Sequence, residues 1–296
     1  MTEAFANVNG IKICYEILGE GFPVILVHGF GDKKEHWRAQ VGDLSNYFKV
    51  IRFDNRGAGK SDRPDGPYSM ELYADDINAL MDYLEIKKAH IIGHSLGGMI
   101  VQNFILKYPH RINKVILINT LSGITLPGVP NEKGIEMYRN GAINRLKEFM
   151  KNPLNKYLED AKRSFSRSFW KLMVENPKKK FHGIWSVEDL VQEKLNNPTT
   201  IKDINNQVEA LKTHNVYEKL PTIKNEVLIL AAEKDKTCTT TMNEKSHELI
   251  PNSKLIVIEK AAHQSILEKA PEVNKLIIEF LKSYKSYKFD RILCNC

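Results

Sequence analysis

The fold class that this 296-residue sequence predicts is α/β: a mostly parallel sheet with helices on both faces, plus a helical insertion. Three observations predict it. Short apolar runs alternate with segments of helical spacing over the first 120 residues or so. The alternation stops near Leu121, and about a hundred residues of amphipathic helix follow without a convincing strand. Strand character then returns at Glu226. With 42% apolar residues, the chain can bury a substantial core.

The elements follow in order. Phe5 to Val8 and Ile11 to Ile17 flank Asn9-Gly10, a favoured two-residue hairpin turn. Pro23 to His28 is an apolar strand that runs into the glycine-rich loop His28-Gly29-Phe30-Gly31. Lys49 to Asp54 is another strand, ending in the polar stretch Asp54 to Asp62. Met70 to Leu84 has helical spacing, with Leu72, Ala79, Leu80 and Tyr83 on the expected inner face. Ala89 to Ile92 is a buried strand, Met99 to Tyr108 a helix, and Lys114 to Asn119 a strand. Helices are expected in the insertion at Gly134 to Met150, Leu154 to Val174, Val187 to Leu195 and Ile201 to His214. Glu226 to Ala232 and Ser253 to Ile258 bring the strands to eight, and Pro271 to Tyr284 is a closing helix. The expected organisation is a core in two parts, residues 1–120 and 224–284, a helical cap at 121–223 and a tail at 285–296.

Composition excludes several classes of function. The net charge is +7, and residues 121–222 hold 17 Lys and Arg against 12 Asp and Glu. The densest spot, Lys178-Lys179-Lys180, reads as a solvated loop. No base-stacking or groove-reading motif accompanies the charge, so no nucleic-acid partner is expected. No apolar run of about eighteen residues suggests a membrane span, and the first residues carry no secretory signal. Cys14, Cys238, Cys294 and Cys296 show neither metal-ligand nor disulfide-framework spacing, which points to a reducing cytoplasm. No metal and no cofactor are expected. Asp54 and Arg56 read as a buried polar turn. The glycines near Gly93 lack the Gly-Lys-Ser/Thr ending of a phosphate loop.

The chemistry concentrates in Gly93-His94-Ser95-Leu96-Gly97-Gly98. A Gly-x-Ser-x-Gly pentad between a strand and a helix is a nucleophile elbow. Its sharp turn lifts the serine hydroxyl clear of the sheet. A serine hydroxyl is a poor nucleophile at neutral pH and needs a base, and that base needs a group to hold its tautomer. His263, just past the strand Ser253 to Ile258, is the candidate base. Asp235, just past Glu226 to Ala232, is the candidate acid, with Glu233 as its rival. A position after Lys114 to Asn119 could also supply an acid, but Asn119 carries no charge. His28 is expected to brace its loop, and His94 to point away from the serine. The oxyanion donors are expected to be the backbone N–H groups of Leu96, at the helix N-terminus, and Phe30.

Together these residues resemble the α/β-hydrolase superfamily from Gly10 to about Leu281. The matching marks are His28-Gly29-Phe30, Asp54-x-Arg56-Gly57-x-Gly59-x-Ser61-Asp62, Gly93-His94-Ser95-x-Gly97-Gly98, Tyr108-Pro109-x-Arg111, Asp235, and His263 followed by Glu268 and Pro271. The branch that looks most similar holds small-ester carboxylesterases, enol-lactonases and cofactor-free haloperoxidases. The resemblance implies an eight-stranded sheet, Ser95 as nucleophile, His263 as base, Asp235 as acid, and Phe30 and Leu96 as oxyanion donors. Epoxide hydrolases and haloalkane dehalogenases of the superfamily use an aspartate where this chain has Ser95. Two departures stand out: Ala262 precedes His263 where glycine is frequent, and no proline follows Asp235 closely.

The expected activity is hydrolysis of a small, largely apolar carboxylic ester or lactone by water through an acyl-enzyme. Gly29, Trp37, Phe149, Phe169, Trp170 and Trp185 are the expected pocket residues. Carbon–carbon bond hydrolysis, acyl transfer, or a ligand receptor on the same scaffold remain open as alternatives. The sequence does not decide oligomeric state.

Overall fold

The computed structural model describes residues 2–123, 131–283 and 292–293. The eight expected strands form one sheet: β1 (Ala4–Val8), β2 (Ile11–Leu18), β3 (Pro23–Val27), β4 (Lys49–Phe53), β5 (Ala89–His94), β6 (Ile112–Ile118), β7 (Glu226–Ala232) and β8 (Ser253–Ile258). A two-residue ninth strand, β9 (Ile292–Leu293), pairs with β8 at one edge, giving the order β1-β2-β4-β3-β5-β6-β7-β8-β9. The β1–β2 and β2–β4 pairs are antiparallel and the rest are parallel. Asn9 and Gly10 both take positive φ, 47° and 75°, as the tight hairpin turn requires.

The central strands are apolar throughout because both of their faces are covered. Ile25, Val27, Ile91, Val115, Leu117 and Ile229 pack on one side with α2 (Met70–Tyr83) and α3 (Leu96–Lys107). Their sequence neighbours Val24, Leu26, Ile92, Ile116, Leu228 and Leu230 pack on the other with α1 (Arg38–Ser45) and the closing helix. Successive side chains point to opposite faces, so one short run supplies both layers.

Among the described residues between β6 and β7 lie five α-helices: α4 (Asn131–Lys151), α5 (Pro153–Ser164), α6 (Arg167–Glu175), α7 (Val187–Leu195) and α8 (Ile201–Lys212). The single helix expected at Leu154 to Val174 is two. Phe165 is extended, and Ser166 starts α6 by accepting from the Phe169 N–H at 3.3 Å. The apolar period runs on across this break and hides it. The two ends of the insertion meet at a neck, where Gly123 and Asn215 form an antiparallel bridge and the Val216 N–H donates to the Ser122 carbonyl at 2.8 Å. After the insertion come α9 (Thr240–Leu249), the single-turn α10 (Ser265–Glu268) and α11 (Ala270–Lys282). Tyr284 and, apart from β9, the tail lie outside the described residues.

Candidate active site

The chemistry-bearing residues sit at the carboxyl ends of the strands, where an open α/β sheet gathers ligand chemistry. Ser95 follows β5 directly with φ 54° and ψ −121°. A non-glycine residue in that region is strained, and the surroundings must hold it there. The Ser95 N–H donates to the Ile118 carbonyl at 3.0 Å. Its own carbonyl accepts from the Gly98 N–H at 2.9 Å and from the Thr120 hydroxyl at 2.7 Å. The corner is tight enough to need glycine on both sides. A Cβ at Gly93 would sit 2.4 Å from the Gly97 carbonyl oxygen, and one at Gly97 would sit 2.0 Å from that of Val27.

The fold brings three distant segments together here. His263 Nε2 lies 3.0 Å from Ser95 Oγ, and its Nδ1 lies 2.7 Å from Asp235 Oδ2. Asp235 is buried, and its other oxygen accepts the N–H groups of Thr237 and Cys238 at 2.7 and 2.9 Å. The carboxylate can only accept, so Nδ1 carries the proton and the Nε2 lone pair faces the serine hydroxyl. Glu233 is the more exposed acid and turns away, pairing with Lys234 and the Lys260 N–H. Ala262 is held through its N–H by buried Glu268 at 3.3 Å, and the same carboxylate oxygen accepts from Ser166 of the insertion at 3.0 Å. Burial pushes the Glu268 carboxyl above its ordinary value.

The loop after β3 is braced by His28, as its position suggests. His28 Nε2 accepts from the Asn55 N–H at 3.0 Å, and its Nδ1 donates to the Gly29 carbonyl at 2.9 Å. The Asp32 N–H reaches the same carbonyl at 3.4 Å. The plane of the Gly29–Phe30 peptide is thus fixed from its carbonyl side, and the Phe30 N–H points the opposite way. The Leu96 N–H is the first of α3 and has no partner within the helix. Asp54 accepts the N–H groups of Lys34 and Lys60 at 2.8 and 2.9 Å, and Arg56 pairs with Asp76, so both belong to a buried polar turn.

A cavity of about 140 Å³ opens onto Ser95. Phe30, Leu96 and Met99 line it from the core, and Leu121, Ile135, Tyr138 and Leu211 from the insertion. The six residues expected to line a pocket do not line this cavity. Gly29 lies against Ser95, where an added Cβ would be 3.3 Å from that of Ser95. Trp37 and Trp185 are fully buried in the core on the α1 side of the sheet, and Phe149 is buried there too. Phe169 stacks with Phe165 and meets Phe181 and Trp185. Trp170 donates from Nε1 to the Leu158 carbonyl at 2.7 Å. Phe165, Phe169, Phe181 and Trp185 of the insertion pack on one another, because large flat rings gain much by burying each other. The smaller lining residues Ile135 and Leu211 gave no sequence signal beyond helical period.

Asp235, Cys238 and His263 also bring ligand-type atoms within 4.8 Å of one another, a grouping that chain spacing does not reveal. Asp235 is already engaged by His263 and two N–H groups. Burial pushes the Cys238 thiol well above its ordinary value, so it stays protonated. The second such grouping, Glu3, Glu16 and Glu35, has cations built in: Lys34 lies 2.8 Å from both Glu3 and Glu35, and Arg52 lies 2.6 Å from Glu16. Among the described residues, no helix is long and apolar enough to cross a membrane.

Known proteins resemble this chain in sequence and in fold. The chain is 35% identical over 124 residues to an uncharacterized protein of Mycobacterium bovis, covering 42% of this chain and 36% of that one. It is 26% identical over 303 residues to bifunctional epoxide hydrolase 2 of Rattus norvegicus, covering 93% of this chain and 54% of the rat protein. The chain therefore spans about half or less of the length of these curated relatives. The crystal structure of the enol-lactonase from Burkholderia xenovorans LB400 superposes with a TM-score of 0.77 at 25% identity, over 95% of this chain and all of that one. A family model described as alpha/beta hydrolase fold matches residues 23–270, a stretch that holds the elbow, the acid and the histidine. On that match, and on the sheet that carries it, the chain belongs to the alpha/beta hydrolase family.

Proposed function

We propose that the protein is a serine hydrolase that cleaves small, largely apolar carboxylic esters or lactones through an acyl-enzyme on Ser95. The observation that carries this reading is the relay Ser95–His263–Asp235, at 3.0 and 2.7 Å, opening onto an apolar cavity. His263 Nε2 takes the hydroxyl proton as Oγ attacks the ester carbonyl, and Asp235 steadies the imidazolium that results. The N–H groups of Leu96 and Phe30 receive the oxyanion. The proton on His263 then passes to the leaving alkoxide, and water releases the acid by the same route in reverse. An engineered apolar cavity of about 150 Å³ holds a benzene molecule, so a space of about 140 Å³ suits a short acyl chain or a small lactone ring.

In this reading residues 121–223 act as a cap over the core segments 1–120 and 224–284. Ile135, Tyr138 and Leu211 support this, since they come from the insertion and line the cavity. The partners are a small substrate and water. Cys14 and Cys238 are buried free thiols, which accords with a reducing compartment such as the cytoplasm.

The test is turnover of p-nitrophenyl acetate and butyrate and of simple lactones, with Ser95→Ala as control and a fluorophosphonate to label Ser95. Turnover that disappears in the variant is expected. No turnover above the variant across the panel overturns the reading, and strong preference for thioesters or vinylogous diketones replaces it with acyl transfer or carbon–carbon hydrolysis.

A further inference from the structure

We propose that Gln207, on α8 of the insertion, is a positioning residue for the oxyanion donor at Phe30, so that this donor is set only when the insertion is seated. The proposal rests on the ester-hydrolase reading and adds to it a residue far from the relay in sequence.

The loop at residues 28–33 belongs to neither strand nor helix, so its backbone groups must find partners elsewhere. The core fixes one peptide of it through the Gly29 carbonyl. The next peptide is fixed by the insertion: the Gly31 N–H donates to Gln207 Oε1 at 2.9 Å. Gly31 sits at φ 66°, and its carbonyl accepts from the Thr199 hydroxyl at 3.3 Å. The Phe30 N–H, between these two anchors, can swing only if one of them lets go.

Gln207 is buried, and its oxygen is the acceptor that keeps a main-chain N–H one residue past Phe30 from being stranded. Around it the insertion grips the same segment through side chains. Lys33 Nζ donates to the carbonyls of Glu193, at 2.6 Å, and Asn196, and Lys194 lies 3.3 Å from Asp32. Arg38 pairs with Glu193. These pairs fasten the insertion to the core, whereas Gln207 acts on the backbone that carries the donor. Angular placement of such a donor matters: a misplacement of about 1 Å can cost on the order of 100-fold in rate.

The experiment compares Gln207→Met, which keeps the volume and loses the acceptor, with Gln207→Glu, which keeps an acceptor oxygen. Expected for Gln207→Met are a kcat for p-nitrophenyl butyrate lowered by about tenfold or more and a KM within about threefold, because the lost contact matters most when the oxyanion forms. Affinity for an alkyl boronic acid, which places a charged oxygen in the hole, should fall in parallel, and Gln207→Glu should recover most of both. Should Gln207→Met not fold, Thr199→Val removes the second anchor of Gly31 and should give a smaller change of the same kind. Folded variants with unchanged kcat and unchanged boronate affinity, whatever their Tm, reduce Gln207 to packing and overturn the proposal. A wild-type chain that turns over no ester takes down both readings; an active wild type equalled by Gln207→Met takes down this one alone.

Discussion

His94 Nε2 donates to the main-chain carbonyl of His263 at 2.8 Å, so the residue just before Ser95 holds the backbone of the imidazole that faces it. Asn119 Nδ2 donates to the same carbonyl, also at 2.8 Å. The ring of His94 is engaged by the carbonyl of His263 on one side and by His36 on the other. Both donors are buried, and burial pushes His94 well below its ordinary value and keeps it neutral. Two fixed donors on one carbonyl leave the histidine loop little room to drift. His94→Gln and Asn119→Ala are each expected to lower kcat by about tenfold while Ser95 remains intact. Steady-state kinetics beside the rate of fluorophosphonate labelling checks this; wild-type kcat in both variants would remove the positioning role.

Asp235 and Glu233 are two residues apart but face different surroundings. Asp235→Asn leaves an amide that holds the wrong tautomer of His263 and should lower kcat by about 10³–10⁴-fold. Glu233→Gln removes only an exposed pairing with Lys234 and the Lys260 N–H, and should stay within about twofold of wild type. A reversed order of effects in kcat would reassign the acid.

Acyl-chain preference should follow the insertion side of the cavity. Ile135 is buried and lines it. Ile135→Ala frees space next to Ser95 and should move the preferred p-nitrophenyl ester to a longer chain by about two to three carbons, at a stability cost of about 2–4 kcal/mol. The ratio of kcat/KM for hexanoate over acetate reads the shift, and an unchanged ratio would place the acyl group elsewhere.

Acid should destabilise the fold beginning near the ordinary histidine range. His214 is held by burial at about 4, well below its ordinary 6.5. It is a neutral bridge: Nε2 donates to the Leu121 carbonyl at 3.0 Å, and Nδ1 accepts from Asn103 at 3.2 Å. Between pH 6.5 and 4 the unfolded chain binds a proton that the folded chain refuses. Its contribution to stability is therefore complete above 6.5 and lost as pH falls through that window. His36 and His90 are pushed to about 4 in the same direction, again chiefly by burial. Melting curves from pH 8 to 4 should show Tm falling below about 6.5. In His214→Gln the fall should be shallower by about 3 kcal/mol or less across the window. An identical pH slope in the variant would exclude His214 from the effect.

Much of this was legible because the relevant signals are local. Strands buried on both faces need unbroken Val and Ile, and the elbow needs Gly93, Ser95 and Gly97 at fixed spacing. Strand ends then point to Asp235 and His263. What stayed hidden depends on contacts between distant segments. Asn119 looks idle where a carboxylate was sought, and its role shows only when the His263 carbonyl lies beside it. Trp37, Trp185 and the phenylalanines of the insertion invite assignment to a pocket, yet burial draws them into the core that continues onto one face of the sheet. Helix α1 carries Gly42 and a weak apolar period, so nothing local announces it. Gln207 shows no more than helical spacing until the loop that it supports is folded against it.

The bridge between Gly123 and Asn215 brings the two ends of the insertion side by side, so the region between them leaves and rejoins the core at one place. Closing a longer or shorter excursion there changes the entropy of the chain only with the logarithm of its length, so the sheet barely registers what hangs from it. Exchange of this whole segment between homologues should therefore leave the Ser95–His263–Asp235 contacts in place, provided the incoming piece offers the β3 loop an acceptor in the place of Gln207.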